Sequence, residues 1–419
     1  MKCRNCRNPF FEMIATIGEQ PISSIFLKKK KKLKNFSLNL FECKKCKLIQ
    51  LSKIPGLTDM YGAHYGYKTS ISGLMIKHLK KKFNYVKKYL ISKKNKNILD
   101  IGSNDGTFLN FFEKIKNMNL IGIDPSSIAF SKLYSKKIKV INDFFNKDSI
   151  KKYFKNKKFS VITSFAMFYD VEDPNSFCKN IHKLLDKNGI WIVEFSYFPL
   201  LLKNLTYDQI CHEHVMYYTL NTFNNIIKKN NLKIIDFSLN EINGGSIEVI
   251  CSKSNSKLKT NKKKITKTIF EEKKISKSEY DKFNLRIQTS KKNIQLFLSN
   301  IKKSEIIGYG ASTKGNVILN YCGITQKNLS YICDANPSKL KKLTPGSNIS
   351  IISKEKMRKI NPKYLLVLIW SFRSEVISQE KKFIMKGGKL LFPLPNLHVV
   401  DKDNYRNYLE KDFNDTLSY

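Results

Sequence analysis

Arginine is scarce in this 419-residue chain: only six of its 76 basic residues are Arg (Arg4, Arg7, Arg286, Arg358, Arg373 and Arg406). Acidic residues are few as well, 34 in all, which leaves a formal net charge of +42. A charge of that size nominates nucleic acid, an anionic membrane surface or a phosphorylated substrate. Arg is the side chain that reads phosphates and bases bidentately. Its scarcity, with lysines spread along the whole chain, weakens the first two readings, and most lysines are read as solvated surface. No apolar run approaches the 18 or more residues of a membrane span; the strongest, Tyr364–Trp370, has the length of a buried strand. The N-terminal stretch MKCRNCRNPFFEM lacks an apolar leader segment. Nine cysteines, an odd number without a leader, argue against a disulfide framework and for a reducing cytoplasm. No nucleic-acid or membrane partner is expected.

What is present is a globular composition, 42% hydrophobic and 12% aromatic, which excludes a disordered chain. Four cysteines form two knuckles, Cys3-x2-Cys6 and Cys43-x2-Cys46. A two-residue spacer lets both thiolates of a knuckle face one ion, and two knuckles complete a tetrahedral zinc site. Four protein ligands leave no open position, so the zinc is expected to be structural. From about Ile98, short apolar runs end in Gly or Asp and alternate with helical periodicity, the pattern of a parallel α/β sheet. Expected strands are Asn97–Ile101, Leu120–Ile123, Lys139–Asn142, Ser160–Ser164 and Gly189–Phe195. The Lys-rich stretch Ser252–Lys303, with Phe283, Ile287, Ile294, Phe297 and Ile301 at helical spacing, reads as connecting helices. A second α/β unit follows, with strands Glu305–Tyr309, Leu329–Cys333, Tyr364–Trp370 and Lys389–Phe392. The expected division is 1–56 (zinc), 57–251 (first α/β unit), 252–304 (helical connector) and 305–419 (second α/β unit).

The segment Ile98–Thr107 is a strand running into a Gly-rich turn that opens a helix. A dinucleotide would need G-x-G-x-x-G with pyrophosphate on the helix N-terminus. Here the turn is Gly102-Ser103-Asn104-Asp105-Gly106, with Asp100 in the strand. Two carboxylates repel a pyrophosphate but suit the cationic amino acid and sulfonium of S-adenosylmethionine. Asp124, ending the second strand, can accept both ribose hydroxyls. After the third strand, Asp143 is expected to bond the adenine amino group while Phe144 stacks on the base. Three such loops in order, on the edge where α/β sheets bind ligands, indicate a methyltransferase.

Two of the six histidines flank one Glu in His212-Glu213-His214, inside Tyr207–Tyr218. Metalloprotease helices place their two His four apart, so this spacing points to an acid/base loop instead. Together with the paired CxxC, the Leu99–Gly106 loop, Tyr65-Gly66-Tyr67 followed by Thr69-Ser70, Asn243–Ser246 and Gly308–Asn316, the chain resembles the nucleotide-sugar C-methyltransferases. That resemblance spans essentially the whole chain. It implies an N-terminal four-cysteine zinc domain, a class I (Rossmann-like) methyltransferase domain and a C-terminal Rossmann-like domain.

The resemblance further implies roles. His214 is the expected general base, removing a proton beside a 4-keto group; Glu213 orients a His or a sugar hydroxyl; His212 positions substrate; Tyr67 bonds the developing enolate oxygen. The nucleotide-sugar is expected between the middle and C-terminal domains. Ser312 and Lys314, at a helix N-terminus, are expected to hold its diphosphate, and Asn243 its sugar. Two positions depart from the family pattern: Cys211 stands before H-E-H, and the loop after the fourth strand carries Tyr169 and Asp170 instead of His. O-methylation of the same substrate class is therefore the enzymatic alternative. A zinc-knuckle protein that binds or methylates RNA is the alternative of another class.

Overall fold

The computed structural model describes residues 1–56, 60–61, 66–155 and 157–410, arranged around three sheets. Tyr65 of the quoted motif lies outside the described residues. The first sheet is antiparallel: β1 (Phe11–Pro21), β2 (Asn35–Cys43) and β3 (Ile49–Leu51). Its two cysteine knuckles repeat one backbone design. Cys3 N–H donates to Asn8 O and Cys43 N–H to Leu48 O. The residue after each second cysteine, Arg7 and Lys47, takes φ of 62° and 61° and returns its N–H to the first cysteine's carbonyl.

In the second sheet β4 (Asn97–Ile101), β5 (Asn119–Ile123), β6 (Ile138–Ile141), β7 (Phe159–Phe165) and β8 (Leu185–Ser196) run parallel. The next strand, β9 (Met216–Tyr217), leaves this sheet and pairs antiparallel with β3, extending the first. β10 (Leu232–Asn240) and β11 (Ser246–Lys253) form a hairpin whose second strand lies antiparallel to β8. The spatial order is β10-β11-β8-β7-β4-β5-β6, so the direction of winding reverses between β4 and β7. A crevice opens at that switch point in doubly wound sheets. Apolar residues on both faces of β4, β5 and β7 explain why these strands read as near-continuous hydrophobic runs.

The third sheet orders β12 (Ile306–Tyr309), β13 (Tyr331–Cys333), β14 (Ser350–Ile352), β15 (Tyr364–Val367), β16 (Lys389–Phe392) and β17 (His398–Val400) as β14-β13-β12-β15-β16-β17. All pairs are parallel except β16 with β17. The strand expected to reach Trp370 stops at Val367; beyond it the Trp370 indole N–H donates to Asp208 at 2.7 Å. The connector forms the helices Lys262–Glu272 and Lys277–Ser299.

One apolar cluster runs from Ile14 and Ile17 of β1 through Phe283 and Ile287 of the long connector helix to Ile307 and Leu366 of the third sheet. The zinc module is thus packed on the C-terminal unit. A polar tie reinforces this, Asn316 donating to Ser23 O at 2.7 Å; separately, Glu375 accepts from Ser72 Oγ (2.8 Å) and Gly73 N (2.9 Å) to cap the helix Gly73–Leu90 of the methyltransferase unit.

Glu272 fastens the connector to the second unit, accepting from the Tyr197 hydroxyl (2.6 Å), Leu220 N (2.6 Å) and Asn221 N (2.8 Å). Glu272→Ala strands these donors at a buried site, and is expected to lower unfolding stability by about 2 kcal/mol in urea titration.

Candidate active site

The carboxyl ends of β4, β5, β6 and β7 open into a cleft of about 630 Å³ that also reaches the third sheet. Its floor is the glycine turn. Gly102 (φ 75°) and Gly106 (φ 76°) adopt left-handed backbone. A Cβ at Gly102 would sit 2.9 Å from Met167 Cγ, and one at Gly106 2.6 Å from the Tyr134 ring, so neither position admits a side chain. Asp100 is buried, accepts from Thr163 Oγ1 at 2.6 Å, and is pushed up to about 7 by burial. Asp124 accepts from Asn104 N (2.9 Å) and Ser126 N (2.6 Å), which sets its carboxylate at the mouth of the turn.

Asn104 and Asp105 do something the sequence did not suggest: they hold the chain around Tyr67. Asn104 Nδ2 donates to Tyr67 O (3.1 Å), its Oδ1 accepts from Thr69 N (3.0 Å), and Asp105 Oδ2 accepts from Ser70 N (2.8 Å). The turn and the tyrosine segment are therefore one rigid unit, and Tyr67 lines the cleft above the turn. Phe144 lines the cleft as expected, but Asp143 does not: its carboxylate accepts from Phe144 N (2.8 Å) and caps its own loop. Phe145 takes its place in the lining.

Facing the turn are residues of the His-Glu-His loop and the third sheet. His214 and Glu213 line the cleft. His212 does not. Its ring packs edge-on to Phe36 (5.7 Å) and its Nε2 lies 3.3 Å from Phe36 O, directed into the zinc module. Burial, with the nearby charge of Lys314, pushes His214 down to about 3, so its imidazole is neutral. Tyr169 packs on it at 4.1 Å. Lys314 Nζ donates to Asn243 Oδ1 (2.9 Å) and faces Asp208, whose carboxyl burial raises to about 6. Lys314 thus stands at the histidine end of the cleft. Ser312 lines the cleft while its Oγ accepts from Gly315 N (2.9 Å) as a helix cap.

Burial raises the Cys211 thiol well above its usual range, which fits a structural side chain and not a nucleophile. Asp170, which lines the cleft, is likewise raised, first by burial and further by Glu213 and Asp124, against a lowering hydrogen bond from Tyr61. Four buried atoms here have no hydrogen-bond partner among the described residues: Asp170 Oδ1, Asp208 Oδ1, Glu213 Oε1 and His214 Nδ1. Buried orphans of this kind mark where ligand groups belong.

Charge divides the cleft. Among the described residues nine acidic side chains line it, all on segments of the second unit, and its only lysines are Lys314 and Lys339, both from the third sheet's segments. Lys339 went unnoticed in the sequence because nothing distinguishes it from its many neighbours. An acid-lined half that excludes lysine in a +42 chain suits a cationic ligand, as S-adenosylmethionine is.

The cysteine cluster fits zinc. Cys3 and Cys46 sulfurs lie 3.5 Å apart, Cys6 and Cys43 3.6 Å, and all four within 4.8 Å of one another. Four sulfurs about 2.3 Å from one ion would be about 3.8 Å apart. No other cluster of this kind occurs among the described residues.

Three family profiles match the chain in order: a zinc binding domain over residues 3–61, a methyltransferase domain over 75–236 and a C-methyltransferase C-terminal domain over 241–395. The chain is 24% identical over 412 residues to C-methyltransferase NovU of Streptomyces niveus, covering 96% of this chain and 97% of that protein. A shorter stretch of 123 residues is 29% identical to a tRNA U34 carboxymethyltransferase of Sulfurimonas denitrificans, covering 28% of this chain and 40% of that one. Among solved structures, the plantazolicin methyltransferase BamL aligns with a TM-score of 0.35 at 13% identity, over 43% of this chain and 86% of BamL.

Fold, glycine turn and acidic cleft define an S-adenosylmethionine-dependent methyltransferase. Within that class the chain belongs to the C-methyltransferase family that joins these three parts, with a structural zinc site at its N-terminus. No helix among the described residues is long and apolar enough to cross a membrane.

The zinc module reaches the cleft-lining His-Glu-His loop through β9, which begins two residues after His214: Ile49 and Gln50 pair with Tyr217 and Met216, and Leu51 N donates to Val215 O (3.0 Å). Cys43→Ser, or chelation, is expected to lower the melting temperature and also to cut methyl transfer roughly tenfold to a hundredfold, since misplacing a reacting group by about 1 Å costs that much. Parallel thermal melts and turnover assays check both.

Proposed function

We propose that the chain methylates the carbon beside the keto group of a nucleotide-activated deoxysugar in the cytoplasm. The observation that carries this reading is the meeting of a neutral His, a buried Lys and an Asn (His214, Lys314, Asn243) opposite an acid-lined cofactor half. Asp100, Asp124 and Phe144 would hold S-adenosylmethionine over Gly102 and Gly106, with Asn104 and Asp105 fixing the turn. Once bound there, the donor supplies the electrophilic methyl group that an activated carbon can take. A carbon flanked by a carbonyl is activated by losing a proton, which requires a base and a place for the enolate charge.

His214 serves as the base. A pKa near 3, set first by burial and then by Lys314, makes it a weak one, so the proton is transferred only as negative charge develops beside Lys314. That charge offsets the lysine's depression of the imidazole and is itself stabilised by the ammonium and by the Tyr67 hydroxyl. Glu213, held by Ser23 Oγ (3.2 Å), leaves Oε1 for a sugar hydroxyl. Asn243 fixes Lys314, and Asp170 borders the same half of the cleft. Ser312 borders the same half, and His212 acts from behind the loop as a packing residue.

Incubation with methyl-labelled donor and a panel of nucleotide-linked 4-keto sugars is expected to give a new carbon-bound methyl by NMR. A methyl on oxygen would exchange this reading for O-methylation. His214→Ala is expected to slow solvent deuterium exchange at the acceptor carbon by about 10²-fold or more; unchanged exchange removes it as the base.

Asp100 also sets a pH dependence. With a folded pKa near 7 it is neutral in more acid solution, where it cannot pair with the cationic donor. Donor affinity measured by calorimetry is expected to fall as pH drops from 8 to 6, by about tenfold, and Asp100→Asn to flatten that slope.

A further inference from the structure

The chain from Gly66 to Leu74 is gripped by two different units. Its middle is tied to the glycine turn: Asn104 donates to Tyr67 O and accepts from Thr69 N, and Asp105 accepts from Ser70 N. Both of its ends are tied to the third sheet's unit. At the start, Asn336 Nδ2 donates to Gly66 O at 2.9 Å. At the far end, Glu375 of the helix Arg373–Gln379 accepts from Ser72 Oγ (2.8 Å), Gly73 N (2.9 Å) and Leu74 N (3.4 Å). Neither grip is loose at its own base. Asn336 Oδ1 accepts from Ser338 N (3.0 Å) and its N–H donates to Asp334 (2.7 Å), whose other oxygen accepts from Ala311 N (2.7 Å). Gln379 Nε2 donates to Glu375 Oε1 at 3.1 Å.

The first N–H groups of a helix lack partners within it and carry partial positive charge, so a carboxylate is favourable there. Here the carboxylate comes from another unit, which fixes where the helix Gly73–Leu90 begins relative to the third sheet. With Gly66 pinned as well, the short chain between presents Tyr67, Thr69 and Ser70 to the turn in one register. The turn needs that support. Asn104 holds φ 49°, a sparsely populated region for a residue with a side chain, and in that conformation its N–H donates to Asp124 at 2.9 Å. Its side-chain bonds to the segment help to keep it there. We infer that Asn336 and Glu375 are positioning residues for the methyl donor: through the segment Gly66–Leu74 they set the glycine turn, and with it Asp124, from the opposite side of the cleft. The inference rests on the reading of that turn as the donor site. It adds that the donor site is not complete within the methyltransferase unit but takes part of its shape from the C-terminal one.

Calorimetric titration of S-adenosylmethionine into the zinc-loaded full chain tests this. Asn336→Asp keeps the oxygen that accepts from Ser338 N but sets an acceptor against Gly66 O. Glu375→Ala removes the carboxylate from the helix start. Each is expected to raise the donor dissociation constant about tenfold, and Glu375→Gln, which still offers an oxygen to Gly73 N, to restore most of that loss. Asn104→Gly supplies the second background: it accepts the left-handed φ and keeps the N–H for Asp124, but cuts the side-chain bonds to the segment. There the same two substitutions should add little further loss, because the connection they act through is already cut. A residue with only a structural role would lower the melting temperature in both backgrounds without this dependence. Each substitution that leaves donor affinity unchanged removes its residue from the role, and losses undiminished in the Asn104→Gly background overturn the mechanism. Asp124→Asn checks the site itself: if it too leaves donor affinity intact, the turn is not the donor site and both readings fall.

Discussion

Two residues of main-chain pairing organise this molecule. Met216 and Tyr217 leave the methyltransferase sheet and complete the sheet of the zinc module against Ile49 and Gln50. The strand is short because it only has to anchor the loop before it, and that loop is His212-Glu213-His214. Val215 donates to Tyr169 O (2.9 Å) on one side, while Leu51 donates to Val215 O on the other. The loop is thereby stretched between the two units. Ser23 then bonds Glu213, and Asn316 bonds Ser23 O, so all three parts of the chain meet within a few residues of the proposed base.

Charge is the second constraint. A chain with 76 basic residues could have filled its cleft with them, yet among the described residues the charged side chains lining it at the glycine turn are the acids Asp100, Asp105 and Asp124. The two lysines that do enter are partly desolvated and tied, Lys314 to Asn243 and Lys339 to Ala311 O.

The sequence made the fold readable where periodicity and punctuation coincide. Asn97–Ile101 and Lys389–Phe392 appear with the expected bounds, and the glycine turn lies at the carboxyl edge of the sheet as expected. Short edge strands such as Ser350–Ile352 and His398–Val400 escaped because three residues carry no period. Gly102, Asp124, Phe144 and His214, which all line the cleft, could be picked out because each follows a strand end or a distinctive cluster. His212 and Asp143 looked equivalent to their neighbours in sequence but face elsewhere, since adjacent residues in a loop point in unrelated directions. Lys339 was hidden for the opposite reason: one lysine among so many is invisible until the fold isolates it.

The β3–β9 pairing also has a temporal side. The cysteine pairs are complete once residue 46 has been made, but the free edge of β3 waits for residue 217, roughly 10 to 30 s of synthesis later at 5–20 residues per second. During that interval the nascent zinc module carries an open strand edge, the kind of surface that recruits foreign strands. At three residues the edge is too brief to template much. A longer β3 would hold the catalytic loop more firmly, but it would leave each growing chain more exposed to its neighbours on the polysome.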